Sequence, residues 1–95
     1  MAELEYQYPI DPDWTTDEII DVIQYFQLVE LSYGKGVNRE KYLDAYRRFK
    51  EIVPGKAQER NICNEFEEVS GFSAYHTLKA VKEAEAGKEV KMKVR

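Results

Sequence analysis

A helix start is spelled out at Thr15-Thr16-Asp17-Glu18. Thr15 is placed to accept from the backbone three residues on while Glu18 reaches back, an exchange that satisfies two otherwise orphaned amides. Trp14 and Ile19 flank it at hydrophobic-staple spacing, and Asp17, Glu18 and Asp21 suit the positive end of a helix dipole. Beyond it, Ile19, Val22, Phe26, Val29 and Tyr33 recur at intervals of three and four. That period puts them on one helix face, which has to be buried against another element.

The same grammar repeats along the chain. Gly34-Lys35-Gly36 stops the first helix, and Asn38 caps a second with Val37 set to contact Tyr42. Tyr42, Tyr46, Phe49 and Val53 form its stripe, widened by Ala45 and Ile52. Pro54-Gly55 ends it, and a third helix carries Ile62, Cys63, Phe66 and Val69 on one side, with Gln58 at the box position. Gly71 fits the left-handed position of a helix stop, with Phe72 folding back toward Phe66. Ser73 caps a fourth helix whose inward residues are read as Ala74, Tyr75, Leu78, Val81 and Ala84, ending at Gly87.

The flanks differ. Pro9 and Pro12 push Tyr8 and Asp11 toward extended backbone, so residues 1–14 read as an arm. The tail KEVKMKVR alternates, with Val90, Met92 and Val94 opposite Lys91, Lys93 and Arg95. Pairing of that tail with the alternating Tyr6-Tyr8-Ile10 is disfavoured because Pro9 cannot donate to a ladder. The expectation is one all-α domain over 1–95: an arm (1–14), a four-helix bundle (15–87) and a short basic tail (88–95). Short turns favour antiparallel neighbours around a single core.

Composition narrows the class. With 43% hydrophobic and 34% charged residues, no apolar run approaches the roughly 20 residues needed to span a bilayer. The opening MAELEYQYP has neither the basic region nor the apolar region of a secretory signal, and one cysteine allows no internal disulfide; a cytoplasmic protein is expected. The net charge of −4 conceals a gradient: residues 1–34 hold eight acids and no Lys or Arg, while the remainder holds fourteen bases and ten acids. Such a gradient can mark a surface for nucleic acid or acidic partners, but the commoner cause is matching of an acidic helix with a basic neighbour, here expected between Asp21 or Glu30 and Arg39, Arg47 or Arg48.

Three separated segments, YQYPIDPDW, EIVPGKAQE and FEEVSGFSAYHTLKAVKEAE, together resemble a small bacterial group, uncharacterised protein family 0223. The likeness runs from about Tyr6 to Ala86. It implies a compact helical bundle and carries no activity, ligand or functional residue with it. Gly55 stands where the family pattern expects Ser, and Cys63 lies outside that pattern.

Candidate chemistry is sparse. Cys63 and His76 are the only cysteine and histidine, and hairpin geometry brings them to similar heights. A thiol beside imidazole can act as a nucleophile. Against this, Cys63 falls on the core-facing stripe, where thiols are inert, and His76 sits at a helix start, where the dipole opposes an imidazolium. The acidic run from Asp11 to Asp21 lacks the glycine and terminal glutamate of a calcium loop. Gly34-Lys35-Gly36 lacks the spacing of a phosphate loop, and adjacent Glu67 and Glu68 diverge by about 100°. No catalytic, metal or cofactor residue is assigned.

What remains is a surface. Arg39, Arg47, Arg48 and Lys50, with Lys91 and Lys93, form a basic set interleaved with Tyr42 and Tyr46, the combination that single-stranded nucleic-acid binders use. Yet Tyr42 and Tyr46 lie on the apolar stripe, and a pI near 5.0 is unlike that of nucleic-acid modules. The expected function is therefore a non-catalytic protein-interaction or regulatory module with protein partners. Self-association is compatible with it, and an RNA- or ribosome-associated accessory role is the alternative.

Overall fold

Three of the four helices described begin at a side-chain cap. The structure is a computed structural model that describes residues 7–93. Thr15 caps α1 (Thr16–Ser32): its Oγ1 accepts from the Glu18 amide at 3.2 Å while Glu18 Oε1 accepts from the Thr15 amide at 2.9 Å. Asn38 caps α2 (Arg39–Ile52), its Oδ1 accepting from the Lys41 amide at 3.0 Å. Gly55 precedes α3 (Lys56–Ser70) without a side-chain cap, and Gly71 ends it at φ 81°. Ser73 caps α4 (Ala74–Glu83) through its Oγ and the His76 amide at 3.1 Å. The protein is mainly α, as the periodicity predicts.

The core is built largely from rings. Val22, Phe26 and Val29 of α1 are fully buried, as are Phe49 and Val53 around the end of α2. Phe26 stacks on Phe66 with centroids 4.4 Å apart, and Tyr25 stacks on Phe49 at 4.6 Å. Asp21 early in α1 accepts from Arg48 late in α2 at 2.7 Å, so the two helices run antiparallel as neighbours. The arm docks onto this layer. Tyr8 stacks over Phe26 and Phe66, Pro9 is buried and Trp14 packs at the core's edge. Burial, with the Glu30 carboxylate accepting from its hydroxyl at 2.8 Å, pushes the Tyr8 phenol up to about 12. Tyr6 lies outside the described residues.

The tail pairs, but with a different segment from the one weighed above. Val37–Asn38 (β1) and Glu89–Val90 (β2) form a two-stranded antiparallel ribbon in which Val37 faces Val90 and Asn38 faces Glu89. Val37 and Val90 are both buried, which is why the alternation in the tail matters. Two further bonds extend the join: the Arg39 amide donates to the Lys88 carbonyl at 3.0 Å and the Met92 amide to the Ser32 carbonyl at 2.6 Å. Gly36, at φ 106°, makes the turn that brings β1 alongside. Val94 also lies outside the described residues.

Several helix-face assignments need correction. Tyr75 is 67% exposed, whereas Thr77 is fully buried. Ala74, Thr77 and Val81 share the inner face of α4, and Tyr75 is turned away from it by the helical step of about 100° per residue. A buried threonine is tolerable because its hydroxyl donates to the Ser73 carbonyl at 3.0 Å and meets the Ser32 hydroxyl at 3.2 Å. α4 stops at Glu83, short of Gly87, because the chain turns extended at Ala84 to reach the ribbon. Val69 is 44% exposed, and Phe72 stacks on Tyr33 at 4.8 Å.

Candidate interaction groove

The inner stripe of α3 is narrow: only Phe66 among its fifteen residues is fully buried. Its flank therefore stands clear of α4, and between them lies a groove of about 510 Å³. Tyr25, Cys63, Ala74 and Leu78 supply an apolar lining. Along α3 the rim is Lys56, Arg60, Asn64 and Glu67, and along α4 it is Tyr75 and His76. Those α3 positions recur at helical spacing, so one face of one helix makes the whole wall. The volume falls within the range of roughly 300–1,000 Å³ typical of ligand-binding clefts.

The groove brings Cys63 and His76 to one wall-lined space but does not couple them. Among the described residues no hydrogen bond joins the thiol to the imidazole, whose ring instead meets Tyr75 edge-on at 5.4 Å. Burial, with the Glu59 carboxylate nearby, pushes the Cys63 thiol up to about 12. A nucleophilic cysteine needs the opposite shift. Glu59 is itself engaged, accepting from Lys50 at 2.7 Å and from Tyr46 at 3.0 Å. Among the described residues no group of three His, Cys, Asp or Glu side chains is arranged to hold a metal ion.

Arg39, Arg47, Arg48 and Lys50 of the basic set each pair with a carboxylate. Arg39 donates to the Val81 carbonyl and pairs with Glu40 at 2.8 Å, holding that carboxyl below the ordinary range. Arg47 pairs with Asp44 at 2.6 Å. Arg48 reaches α1 through Asp21, while Lys50 reaches α3 through Glu59, so these two point to different sides of α2. Tyr42 is fully buried and Tyr46 half-buried, leaving no aromatic platform between the charges. Lys91 and Lys93 are exposed beyond β2 and make no ion pair among the described residues.

The groove was only partly legible in the sequence. Reading Tyr75 as an inward residue hides its aromatic edge, and nothing in the residue types of Lys56, Arg60 and Glu67 marks them as a groove wall. The cue was their common spacing on α3 with Cys63 and Asn64.

Fold and surface together define a small, mainly α-helical domain with one ribbon-tied tail and an open groove. Among the described residues no helix is long and apolar enough to cross a membrane. The chain belongs to an uncharacterised protein family, UPF0223, whose family model matches residues 5–90. It is 59% identical over 85 residues to the UPF0223 protein YktA of Bacillus subtilis, covering 90% of this chain and 97% of that one. It is also 53% identical over 89 residues to a UPF0223 protein of Bacillus pumilus, covering 94% of this chain and 100% of the relative. A UPF0223 protein of Bacillus velezensis is 56% identical over 82 residues, 86% of this chain and 93% of its own length.

Proposed function

We infer that this chain is a non-catalytic protein-interaction module of the cytoplasm whose working surface is the groove between α3 and α4. The observation that carries the reading is Tyr75, a large ring 67% exposed at the edge of an apolar-lined cleft. Interfaces concentrate their energy in aromatic anchors beside such pockets. The raised Cys63 thiol supports a binding role over nucleophilic chemistry. The alternative, an RNA- or ribosome-associated role, now draws on Lys91 and Lys93, because Arg39, Arg47, Arg48 and Lys50 already have carboxylate partners.

Affinity capture from cytosolic lysate, with and without nuclease, tests the reading. The expected result is protein partners that survive nuclease and are lost with Tyr75→Ala. Partners lost to nuclease, and lost again when Lys91 and Lys93 are both changed to Glu, would overturn it in favour of nucleic acid.

A further inference from the structure

The wall that α3 presents to the groove is charged at both ends and with opposite sign. Lys56 and Arg60 stand near its start, Cys63 and Asn64 at its middle and Glu67 toward its end. Lys56, Arg60 and Glu67 make no ion pair among the described residues, unlike Glu59, which is held by Lys50. Along the groove the order is Lys56, Glu59, Arg60, Cys63, Asn64 and Glu67, with Arg60 and Glu67 equidistant from the midpoint between Cys63 and Asn64. Reversal about that midpoint exchanges Arg60 with Glu67, so this acid and base are each other's complement.

We propose that the groove is occupied by a second copy of this chain, the two α3 helices lying antiparallel across a twofold axis at the level of Cys63 and Asn64. The proposal rests on the groove being the interaction surface and names its occupant. A half-turn about that axis sets Arg60 opposite the partner's Glu67 and Glu67 opposite the partner's Arg60, so the same ion pair forms twice. This reciprocity is what an isologous interface requires: one patch, self-matched, with residue i on j and j on i. Opposed helices also align their macrodipoles favourably.

Tyr75 supplies the apolar part. The short turn Gly71–Ser73 places the start of α4 beside the end of α3, so Tyr75 stands on the Glu67 side of the axis. After the half-turn it faces the Arg60 end of the partner's wall. Charge matching then sets register, while the ring and the apolar lining supply most of the affinity.

Sedimentation of the purified chain over a concentration series, at low and high salt, reads the dimer directly. The wild type should associate reversibly, more weakly at high salt because its pairs sit at a solvated rim. Arg60→Glu and Glu67→Arg should each weaken the dimer by about tenfold or more, since each places like charges opposite one another twice. The double swap, Arg60→Glu with Glu67→Arg, should return the dissociation constant to within about threefold of wild type, as coupled positions do. Both residues are exposed, and matching thermal melts will show that the variants are folded. A wild type that stays monomeric throughout, or a double swap as weak as the single changes, overturns the proposal. Failure of the broader reading looks different: lysate capture indifferent to Tyr75→Ala. A monomer whose capture does depend on Tyr75 would thus sink self-docking while leaving the groove a site for another protein.

Discussion

The hydroxyls of Tyr25 and Tyr42 lie 2.7 Å apart in the interior, on rings exposed by 1% and 0%. Tyr42 in turn donates to the Ala74 carbonyl at 3.4 Å, so Tyr25 donates to Tyr42 and the pair forms a short chain linking α1, α2 and α4. The chain is directional, and its two ends are unequal. Tyr42→Phe leaves the Tyr25 hydroxyl buried with no acceptor and should cost about 1–3 kcal/mol, while Tyr25→Phe leaves Tyr42 still donating and should cost about 0.5–1.5 kcal/mol. Because both changes break one link, the double variant should lose less than the sum. Urea denaturation of the three variants checks the order.

Alkaline pH should unfold the protein through groups that ionise only outside the fold. Burial raises Cys63 from an ordinary 9.0 to about 12, and raises Tyr8 and Tyr46 from 10.0 to about 12. Between those values the unfolded chain has released protons that the folded chain retains, so stability falls as pH rises. Their contribution is complete below pH 9.0 and is lost across the interval up to about 12. Urea midpoints should hold level from neutrality to that point and then decline, and Cys63→Ala should delay the onset toward pH 10. A midpoint level to pH 11 would contradict the assignment.

Trp14 tests whether the arm is part of the fold. Its ring packs at the edge of the core without being fully covered. Trp14→Ala should therefore cost about 1–3 kcal/mol, below the figure for a fully buried aromatic. A loss under half a kcal/mol would show that residues 7–14 do not anchor the structure.

Gly36 tests the ribbon. At φ 106° its backbone is one that L side chains rarely adopt, and a Cβ there would stand 3.4 Å from the Val90 carbonyl. Gly36→Ala should cost about 1–3 kcal/mol, the range for strained backbone. Gly87→Ala, equally left-handed but with nothing near its Cβ, should cost less than Gly36→Ala. Thermal melts of both variants separate strain alone from strain plus crowding.

Local signals were the easiest to read. Thr15 with Glu18, Asn38, Ser73 and Gly71 each announce a helix end through chemistry confined to one turn, and all four act as expected. Stripes were less secure, because apolarity alone cannot say which neighbour covers a face. The three-and-four spacing assigns the stripe to Phe26 and leaves out its neighbour Tyr25, yet both are buried because α1 is covered on two sides. For Tyr75 the reverse holds: the true inner position is Thr77, whose hydroxyl is met by the Ser73 carbonyl one turn back and by Ser32 far off in the chain. The ribbon was least legible, as nothing within Val37-Asn38 announces a strand and its partner lies at the opposite end of the sequence.

That ribbon also sets an order of events in folding. The turns between successive helices bring near neighbours together, but joining Val37 to Val90 closes a loop spanning more than half the chain. Closure entropy grows with loop length, and what rewards it is a ribbon of two residue pairs with two flanking bonds and the burial of Val37 and Val90. The helices should therefore assemble first, with the tail sealing the assembly late and reopening first. In native-state hydrogen exchange, the Arg39 and Met92 amides should exchange well before those of central α1, marking the tail as a separately opening unit rather than part of the global unfolding event.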